Sequence, residues 1–285
     1  MNTLRIDGNS LTLEMAMSVA EKGVQVELAE EARPRMQASR DLVEKWVRDN
    51  KVMYGITTGF GEFSNVHIGT DKLEELQRNL IISHAVGCGD PIPKSITRLL
   101  MLLRANALAK GYSGIRIQTV QHLLDMLNRD IVPVIPSQGS VGSSGDLVQL
   151  AHLVCGMMGL EQCWTEDGGT RPSAEALKEA GLDPVRLSAK EGLALINGTQ
   201  MMTAYLTYTT VRAKSLIRQA DISGAMTLEG LLGTTNAADP RLHEVRPHPG
   251  QQAAARNLLR LLQESEIRES HREGHDVVQD GYSLR

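Results

Sequence analysis

The sequence predicts a mainly α-helical protein, a bundle of long helices with a smaller mixed N-terminal region. Three observations carry this. Apolar residues recur at helical spacing through most of the chain, alternating runs are few, and 41% apolar against 22% charged residues suits a packed core. A chain of 285 residues can bury a core without disulfides.

In chain order, Val24 to Leu28 alternates and predicts a short strand. From Asp71, Leu73, Leu76 and Leu80 follow helical spacing, with Asp71 and Glu74 as a cap pair. Ser95 after Pro93 starts a helix through Ile96, Leu99, Leu100, Leu103 and Leu108, stopped by Gly111. Ile117, Val120, Leu123, Leu124 and Leu127 form another stripe, ended by Asp130 and the Pro133/Pro136 pair. Asp146 to Leu160 is apolar on nearly every face, which predicts a buried helix. A surface loop is expected around Gly168-Gly169-Thr170 and Pro172, and a short strand at Arg186 to Ser188. Gly198 to Ala220 and Gln251 to Gln263 complete the helices.

Composition excludes several function classes. A net charge of -4 gives no basic field for nucleic acid, and 3% aromatics leave no stacking platform. Cys88, Cys155 and Cys163 cannot all pair and show no CxxC spacing, which predicts a reduced, cytoplasmic protein. The first residues lack the apolar core of a signal peptide, and no run is long and apolar enough to span a membrane. His271 and His275 stand four apart but lack a third ligand, so no metal site is expected; His243 and His248, beside prolines, read as loop residues. The pairs Met157/Met158 and Met201/Met202 read as core packing, and Cys88 has no evident base to activate it.

Two irregular segments are richer than connections need to be. Tyr54-Gly-Ile-Thr-Thr-Gly-Phe-Gly61 sets glycines and threonines around one tyrosine; it is either a flexible turn or a reactive loop, and it lacks the pattern of a phosphate cradle. Ser137 to Asp146 reads in one way as a glycine-rich start to a helix, with serines capping and Asp146 set against the macrodipole. It also permits a reaction of the chain with itself. The amide nitrogen of Gly145 can reach the carbonyl carbon of Ser143, since glycine has no Cβ to obstruct it. Ring closure with dehydration of Ser144 then yields an exocyclic methylene on an imidazolone, an electrophile made without metal or vitamin.

Five motifs in order now carry a resemblance: Tyr54-Gly-Ile-Thr-Thr-Gly-Phe-Gly, Ser83-His-Ala-Val-Gly, Gly139-Ser-Val-Gly-Ser-Ser-Gly-Asp-Leu, Asn197-Gly-Thr-Gln and Gln279-Asp-Gly-Tyr-Ser-Leu-Arg285. The chain resembles the histidine and aromatic amino acid ammonia-lyases, which carry 4-methylideneimidazol-5-one (MIO). The resemblance implies that Ser143, Ser144 and Gly145 form the MIO, with no external cofactor, and that Tyr54 removes a β-proton. It implies that Asn197 holds the MIO or the substrate, that Arg285 pairs with the substrate carboxylate, and that Tyr282 and Gln279 line the pocket. His84 would contact the substrate side chain, and Ser83-His84 is similar to the histidine-specific branch. One departure is Ser143, where the family usually has alanine; it puts a hydroxymethyl on the ring and leaves the bonds that form unchanged.

The resemblance further implies residues 1–112 as an N-terminal region and residues 113–285 as the MIO-bearing start of a central bundle, cut after Arg285. Family chains are about twice as long and assemble as homotetramers, so a complementary C-terminal chain is a possible partner beside the amino acid substrate. Phenylalanine or tyrosine ammonia-lyases and 2,3-aminomutases use the same machinery. A silent helical fragment remains the reading from another class.

Overall fold

The computed structural model describes residues 3–21, 24–59, 69, 72–272 and 282. Their order is β1 (Thr3–Ile6), α1 (Leu13–Ala20), β2 (Gln25–Leu28), α2 (Ala32–Arg48), α3 (Leu73–His84), β3 (Cys88–Pro91), α4 (Lys94–Ala109), α5 (Ile117–Asn128), β4 (Pro136–Gln138) and α6 (Leu147–Met157). There follow β5 (Gln162–Trp164), β6 (Thr170–Pro172), α7 (Ser173–Glu179), α8 (Glu191–Ile196), α9 (Gln200–Gly230), α10 (Pro240–Glu244), α11 (Pro249–Leu261) and α12 (Glu266–Glu269). The fold is mainly α, as expected, with three two-stranded sheets among the described residues. The chain divides into two compact units, Met1–Thr209 and Thr210–Arg285.

In the first unit α4 is the inner helix. Leu99, Leu100, Met101, Leu102, Ala105 and Leu108 are all buried, against α1 and α5. Gly111 ends it with a positive φ of 84°, where a Cβ would sit 2.7 Å from the Cβ of Arg35. Every residue of α6 from Val148 to Met157 is buried, which explains why it is apolar on nearly every face. Helices α3, α6 and α8 pack on one another. β1 pairs in parallel with β2, so the strand expected at Val24 to Leu28 exists and Ile6, Val26 and Leu28 are buried.

Other expectations need correction. Arg186 to Ser188 is not a strand, because side chains take its backbone groups. Arg116 Nη2 donates to Arg186 O at 2.6 Å, and Ser188 N donates to Glu191 Oε2 at 2.8 Å. Thr170–Pro172 is the second strand of a hairpin with Gln162–Trp164, its turn containing the glycines. Asp71 lies outside the described residues.

In the second unit Asn257 on α11 donates to Asp221 Oδ2 on α9 at 2.7 Å. His243 is a buried helix residue rather than a loop residue. Its Nε2 donates to Ala237 O at 3.1 Å, and its Nδ1 accepts from Gln251 at 2.8 Å. His271 bonds to the carbonyls of Ile267 and Gly233, and His275 lies outside the described residues. Leu216, Ile217, Met226, Leu231, Leu242 and Val245 of this unit are exposed.

Glu191 is the ionic knot of the first unit. It is fully buried and accepts from Arg116, Thr119 and the Ser188 amide; its bonds to Arg116 raise the guanidinium's pKa. Removing one partner of a buried pair strands the other. Glu191→Ala should lower the unfolding free energy by about 3 kcal/mol in a urea titration. Arg171→Ala, at a partly exposed pair with Glu179, should change it by no more than about 1 kcal/mol.

Candidate active site

The serine–glycine segment enters from a short ladder in which β4 runs antiparallel to β3, Cys88 opposite Gln138 and Pro91 opposite Pro136. Gly139 turns the chain where a Cβ would lie 2.8 Å from Val148 Cγ1. Ser140 Oγ accepts from Val148 N at 3.0 Å and so caps α6. Gly142 and Gly145 then bridge to each other, leaving Ser143 and Ser144 exposed at the tip while Gly145 is buried.

Gly145 is pressed against Gly198. Its φ is 88°, and an added Cβ would sit 2.0 Å from the Gly198 carbonyl oxygen, so only glycine fits. The next amide, Asp146 N, donates to that same oxygen at 2.7 Å. The Asp146 carboxylate does not cap its own helix. It is buried and accepts from Met201 N at 2.8 Å and Met202 N at 3.1 Å, the exposed N–H groups that open α9. One aspartate thus joins the start of α6 to the start of α9. This also corrects the reading of Met201 and Met202: Met202 is exposed, and it is the pair's amides that are held.

Asn197 follows α8, with its side chain exposed and its Nδ2 3.5 Å from Leu193 O. Its carbonyl accepts from Arg104 Nη1 at 2.9 Å. Arg104 rises from α4 and is buried; burial pushes its guanidinium down to about 10.

His84 is the last residue of α3. Its Nδ1 lies 2.8 Å from Leu80 O, and a carbonyl only accepts, so Nδ1 carries the proton. In the Nδ1–H tautomer Nε2 is the acceptor. Three residues on, Gly87 N donates to His152 Nε2 at 3.0 Å, which fixes His152 as the Nδ1–H tautomer donating to Glu161 at 2.8 Å. A Cβ on Gly87 would meet His152 Nε2 at 2.9 Å. The His84 segment is therefore seated on α6 just behind the serine–glycine loop.

Tyr54 stands on a different support. Thr57 Oγ1 accepts from Met53 N at 2.9 Å and donates to Lys51 O at 2.5 Å, while Thr58 Oγ1 accepts from Gly55 N at 3.2 Å. Those bonds close the turn that presents Tyr54, which is 59% exposed, and Ile56 anchors it among Val43, Leu73 and Ala189. The threonines build the loop and so account for their place in the motif. Tyr282 is exposed and belongs to the second unit; Gln279 and Arg285 lie outside the described residues.

The structure therefore brings together Ser143 to Asp146, Asn197 and the His84 segment. Sequence reasoning missed Arg104 and His152 as parts of it, while the capping role expected of the serines falls to Ser140. Arg104 and His152 had a signal, each being a polar residue inside an otherwise apolar helical run. Among the described residues no group of three or more His, Cys, Asp or Glu is placed to hold a metal, and no helix is long and apolar enough to cross a membrane. Cys88, Cys155 and Cys163 are free; burial pushes the Cys155 thiol up to about 12, which keeps it unreactive.

The family model "aromatic amino acid lyase" matches residues 11–285. Over 285 residues the chain is 50% identical to a histidine ammonia-lyase of Alkaliphilus metalliredigens, covering 100% of this chain and 56% of that protein. The crystal structure of histidine ammonia-lyase from Trypanosoma cruzi superposes with a TM-score of 0.85 at 42% identity, over 90% of this chain and 49% of that one. Tyrosine aminomutase from Streptomyces globisporus superposes at 0.87 with 33% identity, over 99% and 55%. The chain spans about half the length of the curated relatives it matches.

The Asp146 bridge predicts a split between substitutions. Asp146→Ala should cost about 2 kcal/mol and speed amide exchange at Met201 and Met202. Asp146→Asn keeps an acceptor and should cost less than half as much in the same exchange and urea measurements.

Proposed function

The chain belongs to the aromatic amino acid lyase family, and from that premise we propose that it is the MIO-bearing part of a histidine ammonia-lyase. The reaction is elimination of ammonia from L-histidine to give trans-urocanate. The observation that carries this reading is the Gly145–Gly198 contact: a buried glycine at φ 88°, locked by its neighbours, directly follows two exposed serines. The residues present fit a self-made electrophile, since ring closure on Gly145 needs a nitrogen with no Cβ on its residue and a loop already turned back on itself. That group supplies an electrophilic methylene without metal or added cofactor. Ser143, in place of the usual alanine, adds a hydroxyl at the exposed tip, where there is room for it.

The other residues take roles that their chemistry supports. Tyr54 removes the β-proton as a phenolate; the Cα–N bond breaks, the double bond forms, and the amine leaves as ammonia without any redox change. Asn197 donates and accepts beside the ring. His84, with Nε2 as acceptor, takes an N–H of the substrate imidazole. Arg285 grips the carboxylate, and Gln279 and Tyr282 line the pocket.

The free cysteines support a cytoplasmic setting. The exposed leucines, isoleucines and valine of the second unit support assembly as a homotetramer or with a complementary C-terminal chain. The likeness to a tyrosine aminomutase favours a second reading, the same chemistry on phenylalanine or tyrosine, ending in ammonia loss or a 2,3-shift.

Intact mass is the first test: the chain should lack two waters, and Ser144→Ala should retain both. A wild-type mass with both waters present overturns the MIO reading. With the matured chain in its full assembly, histidine should yield urocanate absorbance at a rate well above tyrosine or phenylalanine. Tyr54→Phe should lower kcat by about a hundredfold or more while leaving histidine binding close to wild type. Faster turnover of tyrosine would move the substrate reading to the second branch.

A further inference from the structure

Buried cations normally sit beside carboxylates, because an unpaired buried charge is costly. The other buried arginines of the first unit obey this. Arg98 pairs with Asp130 at 2.8 Å and Arg40 with Glu44 at 2.9 Å. Arg104 does not. Its hydrogen bonds go to neutral oxygens: Asn197 O at 2.9 Å, Gln200 Oε1 at 2.8 Å, and Ala194 O; its Nε has no partner.

Those acceptors lie on one short stretch, the end of α8 and the first residues after it. The carbonyls of Ala194 and Asn197 are of the kind a helix leaves unbonded at its C-terminus, where a cation is favoured. Gly198, between the acceptors, lies close against the arginine: an added Cβ would fall 2.4 Å from Arg104 Nη1 and 2.2 Å from Gln200 Oε1, and would displace those side-chain ends. On its other side the Gly198 carbonyl receives Asp146 N and blocks any Cβ on Gly145. A single peptide is thus held between Arg104 and Gly145.

We propose that Arg104 is a positioning residue for ring formation, pressing Asn197–Gln200 against Gly145 so that the Gly145 nitrogen is held for attack on Ser143. This rests on the MIO reading above. In the step it assists, the Gly145 nitrogen bonds to the Ser143 carbonyl carbon. That carbonyl oxygen leaves as water with the amide hydrogens of Gly145 and Ser144. The Ser144 hydroxyl leaves as a second water with its Cα hydrogen, so no oxidant is needed.

The test compares the full 285-residue chain with Arg104→Met, Arg104→Lys and Arg98→Met. Each is refolded for fixed times, and two readouts are taken: the fraction lacking two waters by intact mass, and amide exchange in peptides covering 139–146 and 197–202. Arg104→Met should slow ring formation about tenfold, the usual effect of losing hydrogen bonds to a charged group. Exchange should rise in those peptides while α5 stays protected. Arg104→Lys, keeping the charge and a donor, should fall between Arg104→Met and wild type. Arg98→Met should lower the urea midpoint yet mature at the wild-type rate among folded chains.

Two outcomes overturn the proposal. One is wild-type maturation with unchanged exchange at 197–202 in Arg104→Met. The other is loss of maturation in both methionine variants in proportion to their urea midpoints, which marks a general effect of stability. If wild type itself retains both waters, the MIO reading fails, and the exchange comparison alone decides whether Arg104 holds the clamp.

Discussion

The carbonyl oxygen of Gly198 is the point on which the site depends. It accepts from Asp146 N at 2.7 Å and stands where a Cβ of Gly145 would have to be. The contact requires glycine at position 145, where a Cβ meets the carbonyl, while the far side of Gly198 faces the side-chain ends of Arg104 and Gln200. The loop that bears Ser143 and Ser144 therefore closes against a fixed wall while its tip stays exposed. A reactive loop needs that combination, since backbone held close to a reactive geometry carries much of the entropic cost in advance.

Buried charges in this region are matched to helix ends. Asp146 meets the N–H groups that open α9, and Arg104 meets carbonyls that close α8. Each charge offsets the partial charge of a helix end, so neither requires the other as an ion-pair partner. Their effect is to tie α4, α6, α8 and α9 together at one place. Glu191 and Arg98 make ties of the ordinary kind elsewhere in the same unit, with opposite charges as partners.

The helices that pack through continuous apolar stripes were legible in the sequence. The stripes of α4, α5 and α6 depend on residues close in the chain, and burial simply follows their period. The false strand at Arg186 to Ser188 had a plausible local pattern, but Arg116 and Glu191, distant in sequence or across a turn, take its backbone groups. His243 read as a loop residue for a similar reason: its partners, Ala237 and Gln251, come from either side of α10.

For the site, the motifs in the sequence were enough to identify Tyr54, His84, Ser143 to Gly145 and Asn197 as candidates, because the self-reaction and the family resemblance both reside in short contiguous stretches. Only the tertiary structure decided what holds them. That Asp146 caps α9 rather than α6, that His152 seats the His84 segment, and that Arg104 backs Gly198 are contacts across 55, 65 and 93 residues of chain. No local spacing encodes such pairs. They follow from which helix ends the packing of α3, α6 and α8 brings face to face, and that is a property of the folded core.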